Sequence, residues 1–263
     1  MPTPPDSLPP GATCCPEGVH FKVWAPNARQ AWVTGPFHDG EPAQQVLDSQ
    51  AGGWWQGFVP GIGHGTRYKF RLDTGDGCVD RIDPSAREVT NSVGDGVVVD
   101  PTAFDWQGDA FDCPPHHRLT IYEMHIGSFN PSTAARPGGF HEAIERLPHL
   151  RRLGINAVQV MPVAEFAGDR SWGYNPAHLF AVESAYGGPD AFRTFVREAH
   201  RHGLAVILDV VYNHFGPSDL DLWRFDGWHE GEGGGIYFYN DHRAETPWGA
   251  TRPDYGRAEV RGF

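Results

Sequence analysis

The segment Ala205-Val-Ile-Leu-Asp-Val-Val-Tyr-Asn-His214 places an acid inside an apolar run and closes the run with Asn213 and His214. A run of this kind is expected to be a buried parallel strand, and an ionised carboxylate there costs several kcal/mol unless something pairs with it. Asn213 and His214 fall at the C-terminal end of that strand, where parallel α/β folds assemble their sites from strand ends and the loops that follow. Two readings of these residues stay open here. Either they belong to a site, or Asp209 accepts structural hydrogen bonds and His214 merely ends a strand.

A second cluster, Ser171-Trp172-Gly173-Tyr174-Asn175-Pro176, follows the preceding apolar run. Exposed Trp and Tyr planes suit stacking on the apolar faces of sugar rings, and Tyr174 adds a hydroxyl. Any single ring there could equally pack on the domain core. Glu123, beside His125, could be half of a carboxylate pair for glycoside chemistry, although an acceptor inside a barrel is the commoner role. His200 and His202 mimic a metal pair but lack a third ligand, and no metal or other cofactor is expected.

The elements that must hold these residues come in two rhythms. From Gly18 to Asp100 the apolar positions alternate, as in Val19, Phe21, Val23 and in Tyr68, Phe70, Leu72, with Gly, Pro and Asn turn signals between them. That predicts an antiparallel β-sandwich over 18–100. Residues 1–17 read as a Pro-rich flexible lead and 101–117 as a linker. Trp24, Trp32, Trp54 and Trp55 are expected as core or edge rings of the sandwich.

From residue 118 the pattern becomes strand, helix, strand, helix, strand. Leu119–Met124, Asn156–Met161 and Ala205–Val211 are the strands, and their continuous apolar character predicts a parallel sheet covered by helices. One helix carries Phe140, Ile144, Leu147, Leu150 and Leu153, with Pro148 as an objection inside it. The other opens at Gly188-Pro189-Asp190 and closes at Gly203. Residues 215–263 form no convincing period and read as a long aromatic loop.

Composition narrows the function. The 263 residues carry a net charge of -12 and only two lysines, Lys22 and Lys69, so a nucleic-acid partner, which needs clustered cations, is not expected. No apolar run approaches the ~20 residues that span a bilayer, and the N-terminus lacks the basic and apolar regions of a secretory signal. No membrane partner is therefore expected, the cytoplasm is the expected compartment, and Cys14, Cys15, Cys78 and Cys113 are expected to be reduced.

Taken together, Tyr122-Glu-Met-His-Ile-Gly-Ser-Phe129, Trp172-Gly-Tyr174, Ala185-Tyr-Gly-Gly-Pro189 and Asp209-Val-Val-Tyr-Asn-His214 resemble the α-amylase superfamily, glycoside hydrolase family 13. Gly18-Val-His-Phe-Lys-Val-Trp-Ala-Pro26 resembles the carbohydrate-binding module of family 48. The resemblance implies an immunoglobulin-like sandwich, then the first three βα units of a (β/α)8 TIM barrel acting on α-1,4-glucans such as glycogen and maltooligosaccharides by a retaining mechanism. It implies that His214 contacts the sugar in the -1 subsite, that Asp209 orients the active-site network and that Tyr174 stacks under the same sugar. Trp172 and Asn213 are further candidates for substrate binding. Asn213 matches a position that binds calcium in many amylases but generally not in branching enzymes or trehalohydrolases. No metal is therefore expected there.

A complete barrel takes roughly 250 residues, and the part after the linker is much shorter. The family's nucleophile and acid/base lie on later strands, beyond Phe263, so no catalytic residue is assigned and the chain is expected to be an N-terminal fragment, inactive by itself. Asp209 should then lack its usual Arg partner and be poorly satisfied. The loops through Thr246-Pro-Trp-Gly and Arg252-Pro-Asp-Tyr-Gly look closer to branching enzymes. A trehalohydrolase or other α-amylase-type hydrolase is the alternative, and a non-catalytic glucan-binding protein is the alternative from another class.

Overall fold

The computed structural model describes residues 8–38 and 41–263. The amino-terminal strands are β1 (Gly11–Cys15), β2 (Gly18–Trp24), β3 (Gln30–His38), β4 (Glu41–Val46), β5 (Asp48–Gln50), β6 (Trp54–Pro60), β7 (Arg67–Asp73), β8 (Cys78–Arg81) and β9 (Gly96–Val97). They form two antiparallel sheets, in the orders β1-β2-β6-β5 and β4-β3-β7-β8, with β9 beside β7. Alternation does what the period predicted. Val19, Phe21 and Val23 of β2 face Ala31 and Val33 of β3 and Tyr68, Phe70 and Leu72 of β7 across a dry core. Trp24 and Trp55 are buried, whereas Trp32 and Trp54 are half-buried.

The expected flexible lead is corrected in part. Gly11–Cys15 is a strand paired antiparallel with Gly18–Lys22, because Ala12 and Cys14 can lean on the sandwich core while the backbone completes the ladder of β2. Residues 1–7 of that lead lie outside the described residues.

The carboxyl-terminal part is built on β10 (Ile121–Met124), β11 (Ala157–Val160) and β14 (Ala205–Leu208), a parallel sheet in which Met124, Val160 and Leu208 share a row. The connections between them differ from expectation in two places. The helix through Pro148 is two helices, α2 (Phe140–Ile144) and α3 (Leu147–Arg152), after the single turn α1 (Ile126–Phe129). Pro148 occupies the first turn of α3, where its missing N–H is not needed, so the proline sets a boundary instead of a kink. Helix α4 (Gly188–Arg201) runs as predicted. Between β11 and α4 lies an antiparallel pair not expected from the sequence, β12 (Ala164–Phe166) with β13 (Pro176–Val182); its prolines and glycines hid the strand period.

The third parallel strand is shorter than expected and ends at Leu208. Asp209 donates its backbone N–H to Val160 O at 2.9 Å, yet its side chain is half-buried, flanked by exposed Leu208 and Val210. The expectation of a buried acid inside a strand is therefore corrected.

Residues 215–263 are loops with a 3-10 turn at His242–Ala244 and one short α-helix, α5 (Ala258–Gly262), but they pack as part of the fold. Phe215, Leu222, Phe225, Ile236, Tyr237, Phe238 and Val260 join the sandwich core as one apolar cluster. Polar ties frame it: Arg81 donates to the carbonyls of Phe225 and Arg224 at 3.0 Å each, and Asp226 accepts from the backbone and side chain of Asn27 at 2.9 Å. The stretch read as a linker also packs, with Asp109 on His200 at 2.5 Å and Phe111 stacked on the same imidazole.

Candidate functional site

Tyr174 is the hub of the predicted cluster. Its hydroxyl donates to Asp209 Oδ2 at 2.9 Å, and its carbonyl oxygen lies 2.9 Å from His214 Nε2. The loop can bring Tyr174 there because Gly173 sits at φ +87°, where a Cβ would collide with the carbonyl oxygen of Pro162. Asp209 does have a partner, the phenol, and the expected unsatisfied carboxylate is corrected. The hydrogen bond to Asp209, with a smaller contribution from burial, pushes the Tyr174 hydroxyl up to about 12. The phenol therefore stays protonated at neutral pH and serves as a donor, not as a base.

His214 is buried. Asn213 donates its side-chain amide to His214 Nδ1 at 3.2 Å, so the remaining ring proton is on Nε2 and points at Tyr174 O. Trp248, from the loop closed by the Thr246–Gly249 hydrogen bonds, lies parallel to the imidazole with centroids 4.5 Å apart. Asn213 is exposed. Sequence reasoning assigned Tyr174, Asp209 and His214 and named Asn213 as a further candidate, and the fold brings all four together. Trp248, which it noted only as one of many loop aromatics, joins them.

Trp172 points elsewhere. It lines a different cleft, with His125, Ser128, Asp169 and Arg170. His125, which the sequence reading left without a role, holds this neighbourhood: its Nε2 contacts Ser171 O at 2.8 Å and its Nδ1 contacts Ser128 Oγ at 2.8 Å. Tyr186 OH stands 3.1 Å from the same Nε2. Glu123 is exposed and makes one long contact, with Gln159 Nε2 at 3.5 Å.

Beneath the loop lie two acids that sequence reasoning missed, Glu165 of β12 and Glu183 at the end of β13, both fully buried. Glu165 accepts from Ser184 N at 2.7 Å and Ser184 Oγ at 3.2 Å; Glu183 accepts from Ala185 N at 2.9 Å and Phe166 N at 3.2 Å. Burial, and for Glu165 the neighbouring Glu183 charge, raise them to about 8 and about 7. Their signal was available as single acids set in the apolar stretches Val163-Ala-Glu165-Phe and Ala181-Val-Glu183. They brace the β12–β13 pair that carries Trp172 and Tyr174.

The described residues contain no cluster of three or more His, Cys, Asp or Glu side chains fit to hold a metal ion. No described helix is long and apolar enough to cross a membrane. The Tyr174 cluster can donate hydrogen bonds, accept them at one carboxylate and offer aromatic faces, which is binding and orienting chemistry.

Residues 9–86 match carbohydrate-binding module 48 (isoamylase N-terminal domain), and residues 123–224 match the alpha amylase catalytic domain. The chain is 36% identical over 250 residues to a malto-oligosyltrehalose trehalohydrolase of Saccharolobus solfataricus, covering 94% of this chain and 40% of that protein. It is also 36% identical over 250 residues to the 1,4-alpha-glucan branching enzyme GlgB of Picrophilus torridus, covering 34% of that enzyme. Among solved structures, an α-amylase-type protein of Salmonella typhimurium superposes with a TM-score of 0.82 at 34% identity, over 96% of this chain and 40% of that one. A pullulanase from Anoxybacillus complexed with maltotetraose superposes at 0.75 with 26% identity, over 96% of this chain and 41% of that one. The chain thus spans less than half the length of each of these relatives. With the module-48 match over residues 9–86 followed by the catalytic-domain match over 123–224, the chain belongs to the α-amylase superfamily, as a module-48 sandwich leading into part of the catalytic barrel.

Proposed function

We propose that this chain is the glucan-holding part of a 1,4-α-glucan branching enzyme, in which Tyr174, Asp209 and His214 form the floor of the subsite that takes the sugar at the scissile bond, with Asn213 holding His214. The observation that carries this reading is the double engagement of Tyr174, by its hydroxyl with Asp209 and by its carbonyl with His214. One residue thereby fixes an aromatic face and aligns a carboxylate and an imidazole behind it, which is preorganisation of the kind that lowers the cost of binding a flexible sugar. Branching transfers a cut α-1,4 chain onto a 6-hydroxyl. Retaining transfer requires two carboxyl groups about 5–5.5 Å apart, one as nucleophile. Asp209, tied to a phenol, is a positioning group, so the 263 residues by themselves hold glucan without turning it over.

Trehalohydrolase action is the second reading, favoured by the equal identity to the Saccharolobus solfataricus protein. Product analysis of the protein that carries this chain separates them. New α-1,6 linkages formed from amylose support branching; free trehalose from maltooligosyltrehalose, without new linkages, supports the second reading. Hydrolysis or transfer by the isolated 263 residues would overturn the assignment of Asp209 as a positioning group.

A further inference from the structure

Ser92 is a buried residue at the tip of an exposed turn of the sandwich. The turn closes on itself: Thr90 N–H donates to Asp95 O at 2.9 Å, Asp95 N–H to Thr90 Oγ1 at 2.9 Å, and Gly94 N–H to Asn91 O at 3.1 Å. Asn91 and Val93 stand in solvent, Val93 65% exposed, whereas Ser92 between them is 6% exposed. None of these closing bonds uses Ser92. Its side chain and carbonyl instead find partners 127 and 86 residues away.

Those partners belong to the two segments that carry the Tyr174 cluster. His178 of β13 donates from Nε2 to Ser92 O at 2.9 Å, since a carbonyl can only accept. Ser92 Oγ donates to Asp219 Oδ2 at 2.9 Å. The Ser92 N–H also acts on the Glu165 carboxyl, opposing the rise that burial causes, and Glu165 is the residue of β12 opposite His178. Burying a hydroxyl and a peptide unit is costly unless they are hydrogen-bonded, and here they are. Asp219 sits at φ +55°, a left-handed conformation that a non-glycine residue keeps only where its surroundings fix it.

The segment from Tyr174 into β13 and the segment from His214 to Asp219 run side by side. They are joined first where His214 Nε2 meets Tyr174 O at 2.9 Å, and next where Gly216 N–H donates to Pro176 O at 2.7 Å. At that second tie a Cβ on Gly216 would lie 2.4 Å from Asn175 O, so the approach is close. Two residues further along β13 comes His178, and there the sandwich supplies the connection, because Ser92 joins His178 to Asp219.

We propose that Ser92 is a positioning residue of the Tyr174–His214 subsite, supplied by the sandwich: it makes the third tie between the two segments and so fixes His214 and Asp209 against Tyr174. Holding these groups in place before a ligand arrives lowers the cost of binding. That the positioned groups take a sugar rests on the glucan reading given above; their positioning can be measured without any ligand.

The test uses three variants of the 263-residue chain, Ser92→Ala, Asp219→Gly and Asp219→Asn. Glycine suits the left-handed backbone but removes the acceptor, whereas asparagine suits it and keeps one. The first readout is the ionisation of Tyr174, about 12 in the parent, followed by NMR on ring-labelled tyrosine and assigned by its absence in Tyr174→Phe. The second is calorimetric titration with maltoheptaose. Ser92→Ala changes no charge, so a shift in the phenol reports geometry. We expect Ser92→Ala and Asp219→Gly to lower the Tyr174 ionisation and to weaken maltoheptaose binding about two- to tenfold, the range of one lost hydrogen bond. Asp219→Asn should keep most of both. A Ser92→Ala chain that melts earlier yet retains the parent's ionisation and affinity would make Ser92 a structural residue only and overturn the proposal. Equal losses in Asp219→Asn and Asp219→Gly would overturn the Ser92–Asp219 hydrogen bond as the cause. A parent that binds no maltoheptaose while Ser92→Ala still lowers the phenol's ionisation would sink the glucan reading and leave the positioning role standing.

Discussion

The Trp248 indole lies flat on the His214 imidazole, 4.5 Å between centroids and 7° between planes. His214 is consequently enclosed by its own chain, with Asn213 on one nitrogen, Tyr174 O at the other and Trp248 over the ring face. A ligand approaching the covered face of His214 must displace the Trp248 indole, which is 58% exposed. Trp248→Ala is therefore expected to raise the rate of His214 modification by diethyl pyrocarbonate several-fold, read by peptide mass spectrometry. Equal rates in both proteins would show that Trp248 does not shield the imidazole.

Tyr174 and Asp209 are expected to be coupled. Tyr174→Phe and Asp209→Asn should each lower stability by about 0.5–1.5 kcal/mol, the usual contribution of one hydrogen bond, and the double variant should cost less than their sum. The phenol supplies an independent readout. Its ionisation, followed by ultraviolet absorbance, should fall from about 12 toward the ordinary tyrosine range in Asp209→Asn. Additive stabilities together with an unmoved ionisation would mean that the contact is not made in solution.

The acids under the loop predict a pH dependence with a definite sign. Glu165 and Glu183 ionise near 4.5 when unfolded, whereas folded they keep their protons to about 8 and about 7. Below pH 4.5 both states are protonated and the folded state has its full advantage. Between there and about 8 the folded chain binds more protons than the unfolded one, so stability falls as pH rises. Urea unfolding at pH 5 and pH 8.5 should show this loss, and Glu165→Gln should reduce it. Comparison with that variant removes the contributions of Asp83, raised by burial to about 6, and of His178, lowered by burial. A pH dependence identical in Glu165→Gln would contradict the assignment.

The shared core predicts cooperative behaviour. Phe238 is fully buried, edge-on to Phe215 at 5.5 Å, and belongs to the cluster that also holds Phe21 and Phe70 of the sandwich. Phe238→Ala should destabilise by about 3–5 kcal/mol and lower the melting temperature of the sandwich signals along with those of residues 215–263. Loss confined to the carboxyl-terminal signals would show two separate cores.

Much of this protein could be read from the order of its residues, because the deciding signals are local. Alternation in Val19, Phe21 and Val23 needs only a pleated strand to become a buried face, and the apolar run Ala205–Leu208 needs only two parallel neighbours. The cluster of Tyr174, Asp209, Asn213 and His214 was legible for the same reason: the residues sit at the ends of strands and in the loops after them, where parallel folds gather their sites. What tertiary structure alone decided involves partners far apart in the chain. No local pattern could tell that Phe238 packs with the sandwich, that Glu165 and Glu183 would share a buried pocket, or that the phenol of Tyr174 would satisfy Asp209 thirty-five residues away. Nor could spacing separate Trp172 from Tyr174. The positive φ of Gly173 turns the loop between them, so Trp172 lines the cleft beside His125 while the Tyr174 hydroxyl turns to Asp209.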